Sequence, residues 1–152
     1  MSKLKIYFKS IVIPIIIGGI IGFIISKSLD YNSLQKPPLS PPSILFPIMW
    51  TILYILMGIS YGILESKKLH DNSTKLIYYL QLFVNAMWSI IFFTLKWRLF
   101  AFIWIILLDI LVIIMIIKFY KKNKISGLIQ IPYILWTLFA SYLNIAIYLL
   151  NK

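Results

Sequence analysis

The chain contains five long, nearly uncharged apolar runs: about Ile6–Ser26, Ile44–Leu64, Leu76–Leu95, Leu99–Ile117 and Ile125–Leu150. A helix rises about 1.5 Å per residue and a bilayer's hydrocarbon core is about 30 Å thick, so each run of roughly 20 residues can cross it as a helix. Only Lys9, near enough to an end to snorkel, and Asp109, in mid-run, carry charge within them. The β-branched content, isoleucine above all, taken alone suggests strands. Runs this long without polar alternation argue against a transmembrane barrel, however. The fold class read from the sequence is therefore all-α and integral to the membrane, a five-helix bundle over residues 1–152 as one domain. Composition agrees: 61% of residues are hydrophobic and 12% charged, against roughly 45–50% and about 25% in soluble domains.

The N-terminal run resembles a signal peptide, but Ile24-Ile25-Ser26-Lys27-Ser28 offers no small-residue cleavage site, so a retained first helix is expected. A net charge of +11 would suggest nucleic acid in a soluble protein. Here the cations cluster between the apolar runs, which fits basic loops at a membrane surface and no nucleic-acid partner. The N-terminus, second loop and fourth loop (Lys3, Lys5, Lys9, Lys67, Lys68, Lys75, Lys118, Lys121, Lys122, Lys124) hold ten, against five on the other side (Lys27, Lys36, Lys96, Arg98, Lys152). The positive-inside rule then puts the N-terminus in the cytoplasm and the C-terminus outside.

Residues 27–43 form the longest connection and contain Pro37, Pro38, Pro41 and Pro42. Fixed φ angles and missing donors make it stiff. It reads as a lid, or equally as a spacer that sets the angle between the first two helices.

Three spans carry stripes that lipid gives no reason for. Gln81, Asn85, Trp88, Ser89 and Phe92 share a face of the third span; Phe46, Trp50, Tyr54, Met57 and Tyr61 one of the second; Tyr133, Trp136, Ala140 and Asn144 one of the fifth. Buried amides need partners, so these faces should turn into the bundle. Any one stripe is explained by helix packing. Three converging stripes, each with a tryptophan, indicate a pocket for a flat aromatic ligand.

Asp109 would cost roughly 2.5–3.5 kcal/mol at mid-span if charged. It is expected either neutral and bonded to Asn85, Gln81 or a tyrosine, or acting as the proton-coupling acid of a transporter. Gly18 with Gly22 and Gly58 with Gly62 allow close helix approach, within the chain more than between chains. Leu143, Tyr148 and Lys152 match a loose sterol-contact pattern that chance often supplies. The sequence has no cysteine, and its single histidine, His70, lies in a loop. No metal site and no axial haem ligand are therefore expected.

The segment Pro41-Pro42-Ser43-Ile44-Leu45-Phe46-Pro47-Ile48-Met49-Trp50-Thr51-Ile52-Leu53-Tyr54 resembles the PP-x-x-x-F-P-x-x-W-x-x-L-Y signature of the tryptophan-rich sensory protein/translocator protein family, the peripheral benzodiazepine receptor family. Asn85, Trp88-Ser89 and Phe92-Phe93 are similar to its third-helix pattern, and Pro132-Tyr133 through Trp136, Phe139-Ala140 and Asn144 to its fifth. Leu39 and Ser43 stand where the family's first loop usually has Trp and Gly.

The resemblance implies a five-helix bundle, often a homodimer, whose lidded pocket accepts porphyrins and drug-like aromatic molecules. It also implies light- and oxygen-dependent breakdown of protoporphyrin IX as ligand or substrate, with no tightly bound cofactor and a bacterial cell-membrane location. By motif position the tryptophans of that chemistry correspond to Trp50 and Trp136, the pocket amide to Asn85 and a pocket tyrosine to Tyr31. Phe46, Tyr54, Trp88, Ser89, Ala140 and Asn144 complete the expected lining. A porphyrin's propionates would need cations, for which Lys36 and Arg98, or Lys96, are the expected contacts. The alternative function is export or transport of such compounds.

Overall fold

The computed structural model describes residues 2–152, and among them there is helix and no strand. The helices are α1 (Lys3–Ile25), α2 (Leu45–Ser66), α3 (Asn72–Ser89), α4 (Arg98–Lys122), the short α5 (Lys124–Leu128) and α6 (Ile131–Asn151). Five of the helical stretches are long and apolar enough to cross a membrane, with α5 and α6 together making the last. Broad exposed rows on α1 and α4 (Ile16, Ile20, Phe23; Ile103, Ile110, Ile117) remain outside the core. Lipid is the solvent that accepts such rows, and the protein is a multi-pass integral membrane protein.

The helix ends follow local chemistry. The Ser2 hydroxyl accepts from the Lys5 amide at the start of α1. Asp71 and Thr74 form a reciprocal capping box on α3, satisfying donors that the first turn leaves open. Several helices run past the apolar runs of the sequence. α4 continues to Lys122, because lysines can extend a helix into the headgroup region without burying charge.

The last span differs from an unbroken helix: it turns at Ile129–Gln130 before restarting with Pro132 in its first turn. A proline there lacks only a donor that the helix start would leave unused. At the other end of the bundle α3 widens into a π-helical turn, Ile90–Thr94, before Lys96 takes a left-handed φ of 58°.

α1 packs chiefly on α2, and glycine makes this possible. A Cβ on Gly58 would lie 2.4 Å from the Ile11 Cα, and one on Gly62 would lie 2.7 Å from the Tyr7 ring. Ser10 and Pro14 are the buried residues of α1. α2 is tied to α5 by Ser60 and Ser126, whose hydroxyls each donate to the other's carbonyl, at 2.6 and 2.8 Å. α3, α4 and α6 pack on one another around residues such as Leu82, Ile105, Val112 and Ile147.

Candidate functional site

The lid, the C-terminal half of α1, the N-terminal half of α2 and the end of α3 enclose a chamber of about 650 Å³. Its size lies within the range, roughly 300–1,000 Å³, of small-molecule pockets. α2 supplies Phe46, Trp50 and Tyr54, one turn apart, and α3 supplies Trp88, Ser89 and Phe93. The opposite wall is made by Gly18, Gly19 and Gly22 of α1. A Cβ on Gly18 would strike the Tyr54 ring at 2.4 Å, whereas Cβ atoms on Gly19 or Gly22 would meet nothing within 4 Å. Those two glycines leave the chamber its width.

Behind α2 lies a continuous polar chain. The Tyr54 hydroxyl donates to Asn85 Oδ1 at 2.8 Å, Asn85 Nδ2 donates to the Tyr133 hydroxyl at 2.7 Å, and that hydroxyl donates to Gln81 Oε1 at 2.6 Å. Gln81 Nε2 donates to the Tyr78 carbonyl at 2.9 Å. Asn85, Gln81 and Tyr133 are 0–1% exposed, so each bond is made away from water, where a lost partner costs most. This network fixes the Tyr54 ring, and Trp50 stacks against it at 5.8 Å with a 28° interplanar angle.

Trp136 stands edge-on behind Trp50, centroids 6.4 Å apart and planes at 89°, and Phe46 bridges it to Tyr31. Its buried indole Nε1 has no hydrogen-bond partner.

The lid is latched, not draped. Asp30 receives Arg98 Nη2 on both carboxylate oxygens, at 2.8 and 2.9 Å, with Lys96 at 3.7 Å. The Tyr31 hydroxyl donates to the Pro41 carbonyl at 2.7 Å. Burial pushes its phenol up from the ordinary range, with Ser40 opposing in part, so it remains a donor at neutral pH. Tyr142 donates to the Pro38 carbonyl, and the Asn151 side chain pairs with the Gln35 backbone in both directions. Two short 3₁₀ turns, Ser26–Ser28 and Tyr31–Ser33, and a left-handed Leu39 (φ 70°) shape the segment.

The structure brings together Tyr31, Phe46, Trp50, Tyr54, Trp88 and Ser89 on the chamber wall. It sets Asn85 and Trp136 one layer back. Ala140 and Asn144 border a separate void of about 20 Å³, and Asn144 is occupied by the Trp88 Nε1 donor at 2.9 Å and by the Arg98 carbonyl.

Lys36 and Arg98 do not border the chamber as free cations: the Lys36 ammonium is folded onto the carbonyls of Tyr31 and Leu34, and Arg98 onto Asp30. The charged group that does border it is Asp30, which the sequence reading passed over. Its signal was that of four acidic residues in the chain, this one sits in the lid. Asp109 also differs from expectation. It accepts from the Ser141 hydroxyl at 2.6 Å, between α4 and α6, and not from Asn85, Gln81 or a tyrosine.

A family model described as the TspO/MBR family matches residues 10–150. The chain belongs to the TspO/MBR family. It is 42% identical to the tryptophan-rich protein TspO of Archaeoglobus fulgidus, with 99% of each chain covered. It is 34% identical to protein CrtK of Rhodobacter capsulatus, covering 88% of this chain and 86% of that one. It is 30% identical to the tryptophan-rich sensory protein of Cereibacter sphaeroides, covering 86% and 82%. In this TspO/MBR chain the sequence motifs of α2 and the end of α3 are the ones that meet at the chamber, while those of α6 back it.

Proposed function

We propose that the chamber binds flat aromatic ligands of the tetrapyrrole class, with metal-free protoporphyrin IX as ligand and as substrate of a light- and oxygen-dependent degradation. The observation that carries this reading is Trp50, an indole on the chamber wall whose ring is held by Tyr54, itself held by Asn85. A macrocycle seated there lies against an electron-rich ring with a second indole, Trp136, edge-on behind it. Such an indole serves either as electron donor to the photoexcited ligand or as the first target of reactive oxygen. Family membership and the name tryptophan-rich sensory protein carried by a relative support the same reading. On this reading Trp50, on the chamber wall, would touch the ligand and Trp136, edge-on behind it, would support it, although motif position treats the two alike.

Ligand carboxylates would meet Asp30 before any cation, so Arg98 and Lys96 become available to them only when Asp30 yields. In the bilayer we place the N-terminus in the cytoplasm, which puts the lid and chamber at the outer face.

Purified protein titrated with protoporphyrin IX in the dark should show saturable quenching of tryptophan fluorescence, and illumination should then bleach the ligand. Trp50→Phe should lower the bleaching rate more than Trp136→Phe does. Bleaching at the wild-type rate in the double variant would contradict the chemical role while leaving binding standing.

A further inference from the structure

The aromatic contacts of the chamber wall do not stop at Trp136. Beyond Trp50 and Trp136, whose centroids are 6.4 Å apart, α6 carries them onward along one face. Phe139 is 5.7 Å from Trp136, and Tyr142 is 6.1 Å from Phe139. Residues three apart on a helix are neighbours, so one rigid element holds all three rings. The row ends at the surface: Tyr142 is 39% exposed, and its hydroxyl donates to the Pro38 carbonyl of the lid at 2.8 Å. Asn144, on the same turn, bonds the carbonyl of Arg98, where α4 begins. Tyr142 therefore sits level with the charged loop before α4, at the interfacial depth that tyrosine favours and water reaches.

Proton chemistry along this row differs from that beside it. An oxidised indole or phenol settles as a neutral radical only where it can hand its proton to a base or to water. Tyr54 and Tyr133 also neighbour Trp50, at 5.8 and 6.4 Å, but their hydroxyls donate to the amide oxygens of Asn85 and Gln81, very weak bases shielded from water. A branch through Phe46 ends on Tyr31, 5% exposed, whose hydroxyl is held by the Pro41 carbonyl. Trp136 has no acceptor at all for its buried indole N–H, an uncommon state for a buried donor. An indole cation formed there keeps its proton, and a buried unpaired cation is costly, so the charge moves on. Along α6 the first ring that can release a proton to water is Tyr142.

We propose that Trp136, Phe139 and Tyr142 form a path that returns electrons from the outer surface to Trp50, and that Tyr142 is where a soluble reductant of the thiol class meets the protein. The path rests on the porphyrin photochemistry proposed above and assigns that reaction its second substrate. The photoexcited porphyrin takes one electron from Trp50. Trp136 refills Trp50, and Tyr142 refills Trp136 across the Phe139 ring, which is not itself oxidised, while the phenolic proton passes to water. A thiol then gives the tyrosyl oxygen a hydrogen atom and leaves as a thiyl radical, two of which join as a disulfide. Each electron placed on a porphyrin thus comes from one thiol, and one proton enters the outer water. With the path the indoles are reused; without it they are consumed.

The test illuminates the full-length protein in detergent with excess protoporphyrin IX in air, with and without glutathione. It counts the porphyrin equivalents bleached for each tryptophan oxidised, the latter by mass spectrometry. In the wild type glutathione should raise that ratio several-fold, and Tyr142→Phe should abolish the gain. Because that change also releases Pro38, Phe139→Leu is the second variant: it keeps the lid bond, interrupts the row and should cut the gain as well.

A nitroso spin trap gives the direct readout. Its adduct should be found at Tyr142 in the wild type and fall several-fold in Trp136→Phe and in Phe139→Leu, a change that purely structural roles for those rings would not produce. The path is overturned, with the porphyrin reading left standing, by bleaching without an adduct at Tyr142, by an adduct undiminished in either variant, or by a glutathione gain that survives in Tyr142→Phe. No bleaching in the wild type overturns both.

Discussion

The two sides of the chamber are built on opposite principles. The α2–α3–α6 side is polar and closed: Tyr54, Asn85, Tyr133 and Gln81 satisfy one another in a chain of bonds no longer than 2.8 Å, almost without exposure. The α1 side is apolar and open, a helix with little of its surface buried, presenting glycines to the cavity. Satisfied buried networks specify a single arrangement, whereas a helix packed along one edge can adjust its distance. The rigid side positions the indole of Trp50, and the glycine side sets how wide a ligand may be.

The largest effect is expected at Asn85. Asn85→Ala leaves the Tyr54 hydroxyl without its acceptor in a dry environment, and should lower stability by about 2–4 kcal/mol, measured by unfolding in detergent. A loss no larger than that of an exposed substitution would remove the network from its central place.

Next in size is a contrast along α1 and α2. Gly58→Val drives side-chain atoms into the Ile11 backbone, with Ser10 O only 2.6 Å from the new Cβ, and should cost about 1–3 kcal/mol through overpacking. Gly19→Ala meets open space. It should be neutral or gain up to about 1 kcal/mol from helix propensity.

The latch gives a smaller, chemical test. Asp30→Asn releases Arg98 and Lys96, so the affinity for free-acid protoporphyrin should rise several-fold relative to its dimethyl ester; an unchanged ratio would mean that those cations do not reach the ligand.

Smallest is a pH effect at the far end. The Thr74 amide and Lys122 hold the Asp71 carboxyl down to about 2, below the ordinary 3.8. A lowered folded value means that its contribution is complete above about 4 and lost as the pH falls towards 2. The melting temperature of the wild type should therefore drop more over that interval than that of Asp71→Asn, which keeps a capping oxygen without titrating.

Much of this was legible in the residues. The five spans follow from run length alone, and the aromatic and polar stripes of α2 and α3 do face inward, because a buried amide such as Asn85 must find partners such as Tyr54 and Tyr133. The α6 stripe also turns inward, but behind the first layer. Helical periodicity reports which face is buried and not how many side chains stand between it and a cavity.

The α1 wall was hidden for a different reason: its sequence is apolar all round, so no periodic contrast marks a face. Its glycines read as packing devices, which holds for Gly18 against Tyr54, while Gly19 and Gly22 keep space open. The latch was missed because Asp30 and Arg98 are 68 residues apart, and a pairing over that separation has no local signature.

The most direct test of the central claim, that the space between Trp50 and the α1 glycines is the ligand site, is a dark titration of Gly19→Leu with protoporphyrin IX, followed by the porphyrin absorption band. A side chain there fills the chamber without striking the protein at its Cβ. The melting temperature should be unchanged and binding weakened about tenfold or more, roughly 1.4 kcal/mol. Wild-type affinity in a folded Gly19→Leu protein would contradict it.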